Sequence, residues 1–230
     1  MKIKPMIFNT EMVKALLYGK KSVTRRPVSI KDGWALKDNK PTKITSPHPK
    51  KGKWGALIRK ETLDNKYQHD IVSAPCWIED LIYVRETFTP DPDADHESWD
   101  NHEFTYHEWI GCRLSPQFLP RQLKTERHCL YKADCDLDMV WTPSIHMPRW
   151  ASRLTLKVTD VRIETLNELR KSEDQIKKEG FDHWPQFKHV WESIYGQSNP
   201  NDYVWVIEFE VIHQNVDKYL EAINAGVTND

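Results

Sequence analysis

The sequence predicts an α+β fold: a small, curled, mostly antiparallel sheet with helices at its edges, in a single domain spanning residues 1–230. Three observations predict it. Strand-like and helix-like segments alternate irregularly, without the βαβ rhythm of a doubly wound parallel sheet. The length of 230 residues suits one core, since single cores serve chains of up to roughly 250–300 residues. Ten Trp, eight Tyr and seven Phe stand against only eight Gly, a composition that opposes disorder and favours a core or surface built on rings.

The elements follow in order. Asn9 or Thr10 caps a short helix near residues 10–18, with Met12, Val13, Leu16 and Leu17 on one apolar face and Gly19 as its terminator. The next eight residues, KKSVTRRP, leave that helix as a turn and an extended strand. Residues 28–75 are polar, Pro- and Lys-rich and without clear periodicity, and read as a long basic excursion. Leu81–Phe88 is β-branched and aromatic, the composition of a strand.

A second excursion covers about 89–145. Within it residues 90–110 hold seven acids (Asp91, Asp93, Asp95, Glu97, Asp100, Glu103, Glu108) and no Lys or Arg, either a solvated loop or a screen for the basic segment. Cys129–Asp134 reads as a further short strand. Residues 154–163 alternate apolar and polar positions over a full strand length. Ser172 and Gln175 form a capping box for a helix over 172–179, stopped by Gly180. Pro185 opens a helix over 185–195 with Phe187, Val190, Trp191 and Ile194 on one face and Gly196 after it. The run YVWVIEFEVI over 203–212 is a strand, and Val216–Ala225 is a terminal amphipathic helix.

Composition excludes several function classes. No stretch approaches the ~20 apolar residues of a membrane helix. The N-terminal residues lack the apolar core of a secretory leader, and four scattered cysteines (Cys76, Cys112, Cys129, Cys135) do not make a disulfide scaffold. A reducing cytoplasm is the expected compartment. The net charge of −1 conceals an asymmetry: residues 1–60 carry 16 Lys/Arg and 3 Asp/Glu, the remainder 17 and 31. A basic segment containing Trp34 and Trp54 is the pattern of a nucleic-acid or nucleotide binder. The same lysines also suit a solvated face matched by the acidic half.

The sharpest local feature is Gly19-Lys20-Lys21-Ser22-Val23-Thr24-Arg25-Arg26. Four cations around two hydroxyls suit a phosphate, although the Gly-rich cradle of a P-loop is absent. They also suit a Thr hydroxyl activated by a lysine whose pKa falls through crowding with its neighbours. The pattern G-x-K-x-x-x-x-R in Gly19, Lys21 and Arg26 after a short helix resembles the signature of the ASCH (ASC-1 homology) family, a branch of the PUA-like superfamily of small β-barrels. The resemblance extends to Leu81–Phe88 with Glu79-Asp80 before it, to Trp150 through Gly180, and to the strand around Val204–Phe209, roughly half of the chain. The block Trp141–Arg153 further resembles longer ASCH-like proteins of phages and prophages.

The resemblance implies a PUA-like mixed or antiparallel β-barrel of five or six strands with flanking helices and the two insertions. It implies an amidohydrolase removing the acyl group from an N4-acetylcytidine-like nucleoside, with Lys21, Thr24 and Glu179 as the catalytic group. Neutral Lys21 would take the Thr24 proton, Thr24 Oγ would attack the acetyl carbonyl, and water would release the acyl-enzyme, as in Ser-Lys variants of the triad. Glu179 would protonate the departing exocyclic nitrogen. Arg26 would hold the oxyanion or a phosphate.

The alternative is an RNA- or modified-nucleobase-binding module, with ribonuclease activity as its enzymatic variant. Lys20, Arg25 and Arg26 would then meet phosphate, joined by Arg149, Trp150 and Arg153, where an indole beside two guanidiniums suits a stacked base. Each residue also has a bland reading: Thr24 an ordinary strand residue, Glu179 a solvated helix-end acid, Trp150 and Met147 plugs of the barrel end, and Trp191 and Trp205 core residues. No metal and no cofactor are expected, because Cys129 and Cys135 with His128 and His146 lack the spacing of structural zinc. The expected partner is a nucleoside or RNA, not a membrane.

Overall fold

The computed structural model of the protein describes residues 1–64, 66–90, 121, 124–135, 138 and 140–227. It is a mixed α+β structure with several sheets and five helices, and no closed barrel forms among the described residues. The expected α+β class is therefore present, while the strands are shared among separate sheets. The acidic run Asp91–Glu108 and Cys112 lie outside the described residues. None of the described helices is long and apolar enough to cross a membrane.

One sheet has five strands: β1 (Ile3–Ile7), β2 (Val23–Pro27), β7 (Leu81–Arg85), β10 (Thr155–Thr165) and β11 (Tyr203–Ile212). Their order across it is β1-β7-β10-β11-β2. β1 pairs with β7 in parallel, and β11 pairs with β2 antiparallel from Val204↔Pro27 to Glu208↔Val23. Helix α1 (Thr10–Leu17) starts where Asn9 Oδ1 accepts the Met12 N–H at 2.8 Å, and Gly19 ends it at φ +67°. Its buried face is Met12, Val13, Ala15 and Leu16, with Leu17 half-exposed.

Residues 28–75 contain four strands: β3 (Ala35–Leu36), β4 (Thr42–Lys43), β5 (Trp54–Glu61) and β6 (Tyr67–Ser73), in a sheet of order β3-β5-β4 with β6 on β5. The β5–β6 ladder runs from Gly55↔Ser73 to Glu61↔Tyr67. Its alternation is hidden in the sequence because Arg59, Lys60 and Glu61 at one end of β5 are all exposed, whereas Gly55 and Ala56 at the other are both buried. Gly55 permits the close strand approach: a Cβ there would fall against the Val72 carbonyl oxygen.

The stretch expected as one strand over Leu81–Phe88 divides. β7 ends at Arg85, and β8 (Phe88–Pro90) pairs instead with β9 (Cys129–Tyr131). Between them, buried Glu86 uses its backbone N–H on the Met147 sulfur at 3.2 Å rather than on a strand.

The remaining helices carry their caps in the sequence. α2 (Leu166–Arg170) has a Thr165/Glu168 capping box. α3 (Glu173–Lys178) has Ser172 as N-cap, and the chain turns away at Gly180, φ +90°. α4 (Trp184–Tyr195) has Pro185 in its first turn and left-handed Gly196 as C-cap. α5 (Val216–Val227) follows β11.

Contacts group the residues into two compact units, each assembled from three stretches. The first comprises Met1–Lys2, Lys20–Asp80 and Val158–Glu210; the second, Ile3–Gly19, Leu81–Lys157 and Val211–Asp230. A core in the first unit joins Val23, Val204 and Val206 to Leu166, Leu169, Ile176, Phe187 and Trp191 from the helices. A core in the second joins Phe88, Cys129, Tyr131, Met147 and Ala151, with Trp150 against it.

Candidate functional site

In the first unit, the chain entering β2 runs beside the end of α3. Ser22 N–H donates to the Lys178 carbonyl at 2.9 Å, and Lys21 forms an isolated antiparallel bridge with Glu179. Glu179 is the C-cap of α3, so its side chain is presented where the helix stops. Lys21 Nζ donates to Glu179 Oε2 at 2.6 Å and to the Glu179 carbonyl at 2.8 Å. The other carboxylate oxygen accepts from Arg25 Nη1 at 3.0 Å.

The pairing continues outward along β10. Arg25 Nη2 donates to Glu164 Oε2 at 3.0 Å and to Gln175 Oε1 at 3.1 Å. Arg162 then donates to Glu164 at 2.6 Å, Asp160 at 2.6 Å and Glu208 at 2.7 Å. The network runs from buried charges to half-buried ones. The Lys21 and Arg25 side chains are 0% exposed and that of Glu179 2%.

Burying three charges is expensive: the penalty after relaxation is several kcal/mol per ion, and about the same energy must return through pairing. The return here is incomplete, because Arg25 Nε is buried without a hydrogen-bond partner among the described residues. Burial pushes the Lys21 ammonium below its ordinary value near 10.5, against the opposing pull of Glu179 and helped by Arg26 and Arg25. A lysine held in this state transfers protons more readily than an exposed one.

Thr24 is buried but leaves β2 on the opposite side. Side chains alternate along a strand, so Thr24 shares its face with Arg26, and Val23 shares the other with Arg25. Lys21 Nζ donates twice to Glu179, to its carbonyl and to its carboxylate, on the face of the chain opposite Thr24. Arg26 Nη1 donates to the Arg25 carbonyl at 3.2 Å, and Lys20 is exposed. The structure thus brings Lys21, Arg25 and Glu179 together, sets Thr24 on the other face of β2, and leaves Arg26 near enough for its charge to act on Lys21.

The other residues expected to bind ligand lie in the second unit and are paired within it. Arg153 Nε and Nη2 grip the Glu86 carboxylate at 2.9 and 3.0 Å, Nη1 meets Asp134, and the guanidinium lies 4.0 Å from the Tyr131 ring centroid. Desolvation raises the Glu86 carboxyl above its ordinary range. Arg149 pairs with Asp217 through two hydrogen bonds. Trp150 is half-buried against the Met147 and Tyr131 cluster.

Sequence reasoning missed Glu164, Gln175 and Arg162. A signal was present, since Asp160, Arg162 and Glu164 recur at every second residue of β10 and so form a charged ladder on one face. Among the described residues no three His, Cys, Asp or Glu side chains are grouped to hold a metal. No protein-family model, curated protein or solved structure matches this chain.

Proposed function

We propose that the protein hydrolyses the acyl amide of an N-acylated cytosine nucleoside, with Lys21 and Glu179 transferring protons at the junction of β2 and α3. The observation that carries this reading is the buried 2.6 Å contact between Lys21 Nζ and the Glu179 carboxylate, with the lysine pKa lowered by burial. The octet's resemblance to the ASCH signature directs it to N4-acetylcytidine-like substrates. A PUA-like barrel, left open and extended by the β3–β6 sheet, is the finer fold reading that goes with it.

In the reaction the acyl C–N bond breaks, the acyl group leaves as a carboxylate, and the exocyclic nitrogen gains a proton. Lys21 first passes its proton to Glu179 across their 2.6 Å contact. As a neutral amine it then deprotonates the nucleophile, while Glu179 delivers the proton it received to the departing nitrogen, which restores the ion pair. Arg25 Nε, a buried donor without an acceptor among the described residues, suits the developing oxyanion. Since Thr24 leaves β2 on the other face, water fits the nucleophile's place better than the Thr24 hydroxyl. Entry of substrate requires the end of α3 to move off β2, because the three charged side chains are sealed from solvent.

The test is incubation with N4-acetylcytidine, following cytidine and acetate by chromatography. Turnover well above a Lys21→Ala control is expected, and turnover equal to that control overturns the reading. Thr24→Ala separates the nucleophiles: retained activity assigns water, and loss matching Lys21→Ala assigns Thr24.

A second reading, binding of RNA without chemistry, is favoured by a different observation. Lys37, Lys40, Lys43, Lys51, Lys53 and Lys60 are all exposed on and around the β3–β6 sheet, where Arg59 also stands 4.9 Å from the Tyr67 ring centroid. Shortening of labelled RNA would identify the ribonuclease variant.

A further inference from the structure

In the first unit a cleft of about 590 Å³ opens where β2 ends, β11 begins and α4 terminates. It is within the 300–1,000 Å³ range of small-molecule sites. Six consecutive residue steps separate Lys21 from Pro27 on its rim, roughly 20 Å along an extended chain, so the cleft is separate from the Lys21–Glu179 pair.

Its lining has a definite chemistry. Trp191, Tyr195 and Tyr203 supply rings, with the Trp191 and Tyr195 centroids 4.5 Å apart. Gln197, Asn201 and Asp202 supply polar groups, and among the described residues no Lys, Arg or His lines the cleft. In a chain with 33 Lys and Arg, a ring-lined cleft whose one charge is a carboxylate disfavours phosphate.

The backbone fixes these groups in place. Asn199 Oδ1 accepts the Asn201 N–H at 3.0 Å, and the Asn199 carbonyl accepts the Asp202 N–H at 3.0 Å. The Asp202 carbonyl in turn takes the Leu166 N–H at 3.1 Å, tying the turn to α2. The Asp202 carboxylate itself has no hydrogen bond or ion pair among the described residues. It is a half-buried acceptor beside rings and amides, held in place by its own backbone.

We propose that this cleft binds an amine-bearing nucleobase as its nucleoside, without phosphate. The base stacks on the Tyr195 and Tyr203 side. Asp202, which only accepts when ionised, takes the exocyclic amine, and the Asn201 and Gln197 amides meet neighbouring acceptors and donors on the base edge. A carbonyl in the place of the amine would face the carboxylate oxygen to oxygen. This inference goes beyond the proposed hydrolysis and does not depend on it.

The experiment is calorimetric titration of the full chain with adenosine, inosine and adenosine 5′-monophosphate, which change the amine and the charge one at a time. Adenosine is expected to bind, inosine at least about ten-fold more weakly, and the monophosphate no more tightly than adenosine. Asp202→Asn should shrink the adenosine-to-inosine ratio toward one, because an amide can also donate. Tyr203→Ala should weaken both nucleosides about equally, on the order of ten-fold for one missing stacking partner. Absence of adenosine binding, equal binding of inosine, or tighter binding of the monophosphate overturns the proposal. None of these outcomes bears on N4-acetylcytidine turnover, so the two ideas fail separately.

Discussion

Lys21 and Glu179 stand 158 positions apart in the chain and meet twice, through a backbone bridge and through a 2.6 Å ion pair closed off from water. Arg25 grips the second oxygen of the same carboxylate at 3.0 Å, so one glutamate balances two buried cations.

Removal of one partner strands the others in a medium that solvates them poorly. Glu179→Gln and Lys21→Met should each destabilise the fold by about 3–5 kcal/mol. Because the two touch, the double variant should cost less than the two singles summed, by roughly 0.5–3 kcal/mol. Urea unfolding of the four proteins checks this. Strict additivity would mean that the pair is not energetically coupled.

The Lys21 pKa also makes stability depend on pH. Between its lowered folded value and 10.5, the unfolded chain holds a proton at this site that the folded chain has released. Stability contributed by this group therefore rises with pH across that window and is flat above it. Buried Tyr131, whose pKa is raised from 10.0, works in the opposite direction above pH 10, where the unfolded phenol ionises first. Subtracting the Lys21→Met profile from the parent profile cancels Tyr131 and should leave the rising limb alone. A flat difference would show that burial does not lower this lysine.

Arg153 should matter for stability rather than for binding. Arg153→Ala leaves the Glu86 carboxylate, 2% exposed, without its fork of two hydrogen bonds, at a cost of about 3–5 kcal/mol. Arg153→Lys should recover only part of this, because an ammonium cannot make both bonds while lying over the Tyr131 ring. Thermal unfolding reads the loss, and the salt dependence of any RNA binding should be unchanged.

The exposed lysines of the β3–β6 sheet should behave in the reverse way. If they carry RNA, replacing Lys43, Lys51 and Lys53 with alanine should lower the slope of log affinity against log salt by about 0.7 for each phosphate no longer neutralised. Melting should hardly change, since surface substitutions usually stay within about ±0.5 kcal/mol. Anisotropy of a labelled single-stranded RNA across a salt series measures the slope, and a thermal melt of the triple variant measures its stability. A slope identical to that of the parent protein would remove this surface from consideration.

What could be read in advance was what short-range rules govern. Asn9, Gly19, Ser172, Gly180, Pro185 and Gly196 mark helix ends by chemistry that acts over one turn, and those ends lie where the residues indicate. The β-branched and aromatic run YVWVIEFEVI over 203–212 became β11 with the same bounds. The β5–β6 hairpin escaped notice because its exposed Arg59–Glu61 end and its buried Gly55–Ala56 end blur the two-residue period. At the site, the octet pointed to Lys21, while Glu179 came only from the resemblance to the ASCH family, at the helix end before Gly180. The direction of Thr24 was legible in principle from strand alternation, once β2 was known to begin at Val23. That Arg25 would be enclosed by Glu179, Glu164 and Gln175 depended on partners 139–154 positions away, which no local pattern encodes.

The three-stretch construction of each unit has a consequence for synthesis. The first unit draws on residues up to Glu210 and the second on residues from Val211 onward, so neither is complete until β11 has been made. A chain emerging from the ribosome cannot finish one unit and then begin the next, as proteins with successive domains do. While the β3–β6 sheet is being made, the partners of Lys21 and Arg25 on β10 and α3 do not yet exist, and Glu86 likewise precedes Arg153. Neither unit can close before β11 has been made, and the second must also await α5.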